Sequence, residues 1–349
     1  MAIPIVMRAA VTSAHGGPEA TRIVDDWPVP VPAFGQVLIR VTAVALNNTD
    51  LWSREGAYGT ADDPHAVAGW LGVPLSFPLI QGADITGIVV ALGPDVDARL
   101  LGRRVLVDPA ISYDGEFPTA VVGSEADGGF AEFHRLDVSR VHDVDDSPLS
   151  DAQLACLPIA YGTAMAMIER AECVAGERVL VTGASGGLGM AAVQILRALG
   201  CEVVGQTTTA KAPIVLAAGA AGVLVRDNAA RSSARNDSDV NGFDVVVDVV
   251  GGDQFGEVLD RLRSGGRLVV AGAISGPVVT LDLRRVYLRQ RRIIGSTMHA
   301  PRHFRHLVAL ARAGAVDPLV AATFPLSDLH IAQARFRAKD FVGKLVIVP

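Results

Sequence analysis

The sequence predicts an α/β fold in two parts, a β-rich, barrel-like domain and a doubly wound parallel sheet of six strands, on three observations. At 349 residues the chain exceeds what one ordinary hydrophobic core organises, so two domains are expected. From Gln36 to about Arg140, short β-branched runs (QVLIRVTAVAL, ITGIVVALG, RRVLVDPA, GGFAEFHRL) are broken by Gly, Pro and Asp. Beyond Ser150, near-continuous runs of Val, Ile and Leu alternate with Ala-rich helical stretches, the pattern of a parallel sheet covered on both faces.

In order, the later strands start near Arg178, Glu202, Gly222, Asp244, Arg267 and Arg292. Six is the number in a complete Rossmann dinucleotide-binding fold. AAVQILRALG and EVLDRLRSGG read as crossover helices, and PRHFRHLVALARAG as an amphipathic helix. FVGKLVIVP is a last strand that returns to the first domain, so the domains are expected at 1–155 with 303–349 and at 156–302.

Half of the residues are hydrophobic and 19% are charged, a packed globular composition. A net charge of -6 and 18 scattered aromatic residues disfavour a nucleic-acid or anionic-membrane surface. The arginines of LDLRRVYLRQRRIIG read as a solvated face. Cys156, Cys173 and Cys201 form no CxxC pair and no disulfide framework. No signal peptide and no apolar run of roughly 18 residues is present, so the cytoplasm is the expected location.

VLVTGASGGLGMAAVQILRALG lies where a strand turns into a helix. Ala184, Gly186 and Gly189 occupy the G-x-G-x-x-G frame, with further glycines at Gly183 and Gly187 and with Ser185 and Leu188 between them. Such glycines allow a tight turn, close approach of a pyrophosphate, and helix-on-strand packing, while the helix N-terminus offers N–H donors. A phosphate-binding P-loop is excluded because Met190 follows Gly189. The Thr182–Gly189 stretch also fits the loop of short-chain dehydrogenases, but 181 residues precede it and no Tyr-x(3)-Lys follows. After the second strand, CEVVGQTTTAK offers Thr207, Thr208 and Lys211 and no carboxylate to repel a 2′-phosphate. With Arg226 at the end of the third strand, this favours NADPH over NADH.

Taken in order, ALNNTDLWSREGAYG, PLIQGADITGIVVALG, GGFAEF, LPIAYGTA, VTGASGGLG, VVVDVVGG, SGGRLVVAG and VGKLVIV resemble the medium-chain dehydrogenase/reductase superfamily, most closely its zinc-independent, quinone-oxidoreductase-like branch. The resemblance spans nearly the whole chain. It implies a GroES-like fold for the β-rich catalytic domain, an NADP-dependent oxidoreductase, and a homodimer through the last Rossmann strand, RRIIGST. It implies cofactor contacts at Thr163, at Val250 and Gly251, at Gly272 and Ala273, at Ser296 and Thr297, and at Lys344.

In the zinc alcohol dehydrogenases of the superfamily, the metal is held by a Cys before Thr-Asp, the His of Gly-His-Glu and a later Cys. By motif those places are Asn47, Ala83 and Ala160 here, and the four-cysteine structural lobe is missing, so no metal is expected at the usual place. His299, His303 and His306 are a rival ligand set, since the last two could share a helical face. Without zinc, charge developing on a carbonyl oxygen falls to neutral donors. By resemblance these are Asn47, a carbonyl-side donor, and Tyr58, a proton donor or clamp; Tyr161 is a second phenol at the site or a packed core residue. Asp50 and Arg54 read as a structural pair, and Asp84 as a buried acceptor. The long segment Gly59–Phe77, with His65 and Trp70, either shapes access or is a surface excursion.

The implied reaction is hydride transfer to a quinone or to the β-carbon of an α,β-unsaturated carbonyl. Reduction of a carbonyl or imine in the same pocket, and a non-catalytic dinucleotide-binding relative, are the alternatives.

Overall fold

The computed structural model describes residues 3–60, 75–225 and 242–349. The chain divides into two units, Met1–Ile159 with Ala300–Gly314 and Pro318–Pro349, and Ala160–His299 with Ala315–Asp317. The first unit thus runs four residues beyond the expected boundary at 155 and resumes three residues before 303.

In the first unit, strand Gln36–Ala45 is the axis of a seven-stranded sheet. Asp84–Leu92 pairs antiparallel along one side of it; Phe133–Asp137 and, near its end, Lys344–Val348 pair along the other. The final strand therefore does return to this sheet. Leu38, Ile39, Val44, Leu46, Ile85, Val89, Leu345 and Ile347 fill the core beneath these strands. Gly87 is required where two of them meet, because a Cβ there would lie 2.3 Å from the Arg40 carbonyl oxygen. Helix Pro301–Arg312 buries Phe304, Leu307, Val308 and Ala311. On it His303 is buried, with Nδ1 accepting the Ala300 N–H at 2.8 Å, while His306 is exposed. Positions three apart are neighbours on a helix, but the edge of the buried stripe runs between these two, so His303 turns into the core and His306 to solvent. Among the described residues no three His, Cys, Asp or Glu come together to hold a metal.

The second unit is a six-stranded parallel sheet. Its order is Gly222–Val225, Glu202–Thr207, Arg178–Val181, Phe243–Asp248, Leu262–Val270, Arg292–Gly295, the doubly wound order with its reversal between the first and fourth strands. Five of the six starts fall within one residue of the sequence reading. The exception is the fifth strand, which begins at Leu262: the preceding helix stops at Asp260 and RSGG, expected to be helical, is extended. Gly265 takes φ +74°, and the register shifts between Phe243 opposite Leu262 and Val245 opposite Arg267. Part of the arginine-rich stretch forms a short helix, Arg284–Tyr287, with Leu283, Tyr287 and Leu288 exposed. Among the described residues no helix is long and apolar enough to cross a membrane.

Candidate functional site

In the second unit the glycine loop joins strand Arg178–Val181 to helix Gly187–Leu199 at the sheet's reversal point. Gly183 has φ +57°, the left-handed region that glycine enters freely. A Cβ on Gly189 would stand 2.2 Å from the Gly183 carbonyl oxygen, so loop and helix touch backbone to backbone. Gly186 caps the helix with no side-chain acceptor, leaving first-turn N–H groups for an anion. Two residues to which the sequence assigns no role at the site hold the two strand ends together. Thr182 Oγ1 donates to the buried Asp248 Oδ1 at 2.6 Å and accepts the Val249 N–H at 3.0 Å, and Asp248 Oδ1 also accepts the Val250 N–H at 3.0 Å. Gly272 lies against this turn, its Cβ position 2.9 Å from the Val249 carbonyl oxygen, with Ala273 following.

Thr207 at the end of the second strand is buried, and its hydroxyl has no hydrogen-bond partner among the described residues. An orphaned hydroxyl at the place where a dinucleotide's ribose is usually bound, beside an open glycine loop, fits a nicotinamide dinucleotide. Thr208 is exposed and Lys211 closes the following turn. Arg226, like His65 and Trp70, lies outside the described residues. Ser296 Oγ accepts from Arg170 at 2.8 Å, and Thr297 follows it. Tyr161 is buried, and its hydroxyl donates to Gln194 at 2.9 Å; Gln194 in turn exchanges two bonds with the Asp317 backbone. This geometry ties the phenol into the unit's core. Thr163 is buried in the helix that follows.

The first unit brings three distant residues to one end of its sheet. Ala45 pairs with both Asp84 and Val346, so the chain just beyond Ala45, the start of one neighbouring strand and the start of the other converge. Lys344 Nζ donates to Asp84 Oδ2 at 2.7 Å and to Asn47 Oδ1 at 2.6 Å. Asn47 Nδ2 donates to the same Asp84 oxygen at 2.9 Å, and Asp84 Oδ1 accepts the Ile159 N–H at 2.6 Å. Asp84 is fully buried and Lys344 5% exposed, so the ion pair is desolvated and hydrogen-bonded throughout. Both ends of the Asn47 amide are used inside this cluster; the geometry makes it the clamp of Lys344. Ala83 is buried beside Asp84 with only a methyl group to offer. Cys156, also buried, has its thiol pushed up to about 12 by burial.

Asp50 turns back onto the start of helix Asn48–Arg54, accepting the Asn47 N–H at 2.7 Å. It does not pair with Arg54 as expected, because the open N–H donors lie at the helix start; Arg54 reaches Gln333 at 2.6 Å instead. Burial, aided by Asp84, pushes the Asp50 carboxyl up to about 7. Between the ordinary value of 3.8 and about 7 the native state keeps a proton that the unfolded chain releases. This stabilisation is present below the lower value and lost as pH rises through the upper one. Relative to Asp50→Asn, the wild type is expected to lose on the order of a few kcal/mol between those pH values. Urea midpoints across pH measure it, and a pH-independent difference would contradict the assignment.

Tyr58, after that helix, is 40% exposed and edge-on to Trp52 at 6.2 Å. Burial of its phenol raises its pKa, opposed by a hydrogen bond with Thr49.

Residues 33–146 match the alcohol dehydrogenase GroES-like domain family and residues 187–313 the zinc-binding dehydrogenase family. The chain is 31% identical over 358 residues to the quinone oxidoreductase of Mus musculus, covering 98% of each protein. It is 29% identical over 355 residues to an acryloyl-coenzyme A reductase of Metallosphaera sedula, covering 98% of this chain and 99% of the relative. Among solved structures it is similar to a presumptive alcohol dehydrogenase of Sinorhizobium meliloti 1021, with 43% identity, a TM-score of 0.89 and coverage of 99% and 98%. It is also similar to a cobalt- and zinc-bound thermostable alcohol dehydrogenase of Pyrobaculum aerophilum, with 31% identity, a TM-score of 0.82 and coverage of 99% and 100%.

Proposed function

The chain belongs to the medium-chain dehydrogenase/reductase superfamily, in its quinone-oxidoreductase-like branch, and from that premise we propose a zinc-independent, NADPH-dependent reductase of quinones or α,β-unsaturated carbonyls. The observation that carries the reading is the Asn47–Asp84–Lys344 cluster. Asn47 stands where the zinc enzymes have their first ligand, and it binds an ammonium group. A fixed cation is thus already present there, neutralised by Asp84 and out of water, and it needs no metal.

The bound dinucleotide supplies the hydride. The glycine loop and the first turn of helix Gly187–Leu199 hold the pyrophosphate. Thr207 and Lys211 take the ribose and its 2′-phosphate, and the absence of a carboxylate there supports NADPH. Lys344 biases the site toward an anionic oxygen, and Asn47 and Asp84 fix its ammonium so that no reorganisation is needed during reaction. Quinone oxidoreductase and acryloyl-coenzyme A reductase relatives support this substrate class. Two solved relatives named as alcohol dehydrogenases favour, as a second reading, reduction of a carbonyl.

Oxidation of NADPH and NADH with a panel of quinones, 2-enals, 2-enones and simple ketones tests both readings. NADPH-selective turnover of quinones or enones is expected. Turnover of ketones alone would select the second reading, and an NADH preference would overturn the cofactor assignment.

A homodimer through the edge strand Arg292–Gly295 is part of this proposal. It is supported by the exposed Leu283, Tyr287, Leu288 and Ile293 near that edge. Sedimentation equilibrium is expected to give a dimer that Leu288→Glu with Ile293→Glu dissociates; a wild-type monomer would refute it.

A further inference from the structure

Helix Asn48–Arg54 starts from Asn47, its N-cap, and side-chain bonds tie it to helix Leu329–Ala338, which leads into the strand of Lys344. Lys339 Nζ donates to Asn48 Oδ1 at 2.8 Å, and Arg337 meets Glu55. Both contacts are exposed, where salt and side-chain freedom leave them weak. The third is buried: Arg54 Nη1 donates to Gln333 Oε1 at 2.6 Å, joining residues 279 apart in the chain.

Arg54 is 1% exposed and Gln333 3%. Among the described residues Arg54 has no carboxylate partner, since Glu55 is taken by Arg337, and its Nε and Nη2 have no acceptor. A buried guanidinium group resting on one amide oxygen contributes little to stability, and a packed apolar pair of similar volume is ordinarily as good or better. What the hydrogen bond adds is direction. An acceptor must lie in line with the N–H, whereas apolar surfaces slide past one another.

The same end of the helix is held from a second side. Gly16 N–H donates to the Arg54 carbonyl oxygen at 2.8 Å, and His15 Nδ1 to that of Ser53 at 3.1 Å. The helix is thus anchored about 10 Å from Asn47, and a swing of roughly 6° about that anchor moves Asn47 by about 1 Å. Such a movement breaks the 2.6 Å bond from Lys344 Nζ to Asn47 Oδ1. Strand pairing brings the two backbones together, with Leu46 N–H donating to the Leu345 carbonyl oxygen at 2.9 Å. The direction of the Asn47 amide is set by the helix that starts from it.

We propose that Arg54 and Gln333 are positioning residues, whose buried bond fixes the direction of helix Asn48–Arg54 and so aims the Asn47 amide oxygen at the Lys344 ammonium group. The effect on Lys344 follows from the fold of the first unit alone. The effect on turnover rests on the reductase reading above.

The test removes the bond without stranding a charge. Arg54→Met with Gln333→Leu fills the space with apolar side chains and is expected to be at least as stable as the wild type. Gln333→Glu keeps an acceptor for Arg54 and serves as the conservative variant. Nitrogen NMR of the cofactor-free protein follows the Lys344 amine. The chain has only Lys211, Lys339 and Lys344, so Lys211→Arg and Lys339→Arg identify the remaining signal.

In the double variant the Lys344 signal is expected to shift and its protons to exchange faster with water, while kcat falls roughly 10- to 100-fold with NADPH affinity unchanged. Gln333→Glu should retain the wild-type signal and kcat. If the double variant does not fold, Gln333→Ala, which opens a water-sized space beside the guanidinium group, carries the same two readouts. A wild-type Lys344 signal in the variant lacking the bond would overturn the positioning role, whatever its kcat. A shifted signal with unchanged kcat would overturn its part in turnover. A shifted signal in a protein whose wild type reduces no acceptor would leave the positioning of Lys344 standing and overturn the reductase reading alone.

Discussion

Lys344→Met is expected to destabilise the first unit by about 3–5 kcal/mol and to abolish acceptor reduction. The substitution keeps the length and apolar stem of the side chain but leaves Asp84, fully buried, as an uncompensated charge. Its other bonds, from the Ile159 N–H at 2.6 Å and the Asn47 amide at 2.9 Å, are too few to replace an ammonium partner. Adding Asp84→Asn removes the stranded charge while keeping an acceptor for Ile159, so the double variant should recover most of the stability and none of the activity. Urea denaturation of both proteins measures this. A single variant as stable as the wild type would mean that the ion pair does not hold this corner together.

Gly189→Ala is expected to weaken nucleotide binding by at least about 100-fold, roughly 2.7 kcal/mol, and to destabilise the second unit. The added Cβ would meet the Gly183 carbonyl oxygen at 2.2 Å, its carbon at 2.7 Å and the Ala184 Cα at 2.8 Å, all backbone atoms that cannot move without reshaping the loop. Gly186→Ala is the control. There the nearest atom is the Gly183 carbonyl oxygen at 3.4 Å, an ordinary contact, so the loop should keep its shape and lose only room for the pyrophosphate. Binding titrations and thermal unfolding separate the two. Equal behaviour of both variants would show that the Gly189 contact is not what shapes the loop.

The parts of this protein legible in the sequence are those encoded locally. Runs of Val, Ile and Leu set the parallel strands, and the glycine loop declared itself because tight turns and backbone contacts admit almost no other residue. That Asn47 and Ala83 are not a cysteine and a histidine is equally plain, since both are single positions in a fixed frame. The cluster around Asn47 was not legible. Lys344 and Asp84 are 260 residues apart, and only the pairing of Ala45 with both strands brings them together. For the same reason Asn47 read as a donor to substrate, whereas its amide is occupied by two partners contributed from elsewhere in the chain. Tyr161 was ambiguous between site and core until its bond to Gln194 fixed the phenol's direction. The fifth strand was misplaced because RSGG has no apolar periodicity; Leu262 and Arg267, on either side of it, pair with Phe243 and Val245 and draw the segment into the strand.

In the proposed reductase the buried Lys344, held by Asn47 and Asp84, makes a metal unnecessary. The most direct test of this is NADPH-dependent reduction of a quinone or enone by protein treated exhaustively with a chelator, with bound metal assayed on the same sample. Full turnover is expected in metal-free protein, unchanged when zinc is added back. Activity that disappears with the metal and returns with zinc would contradict it.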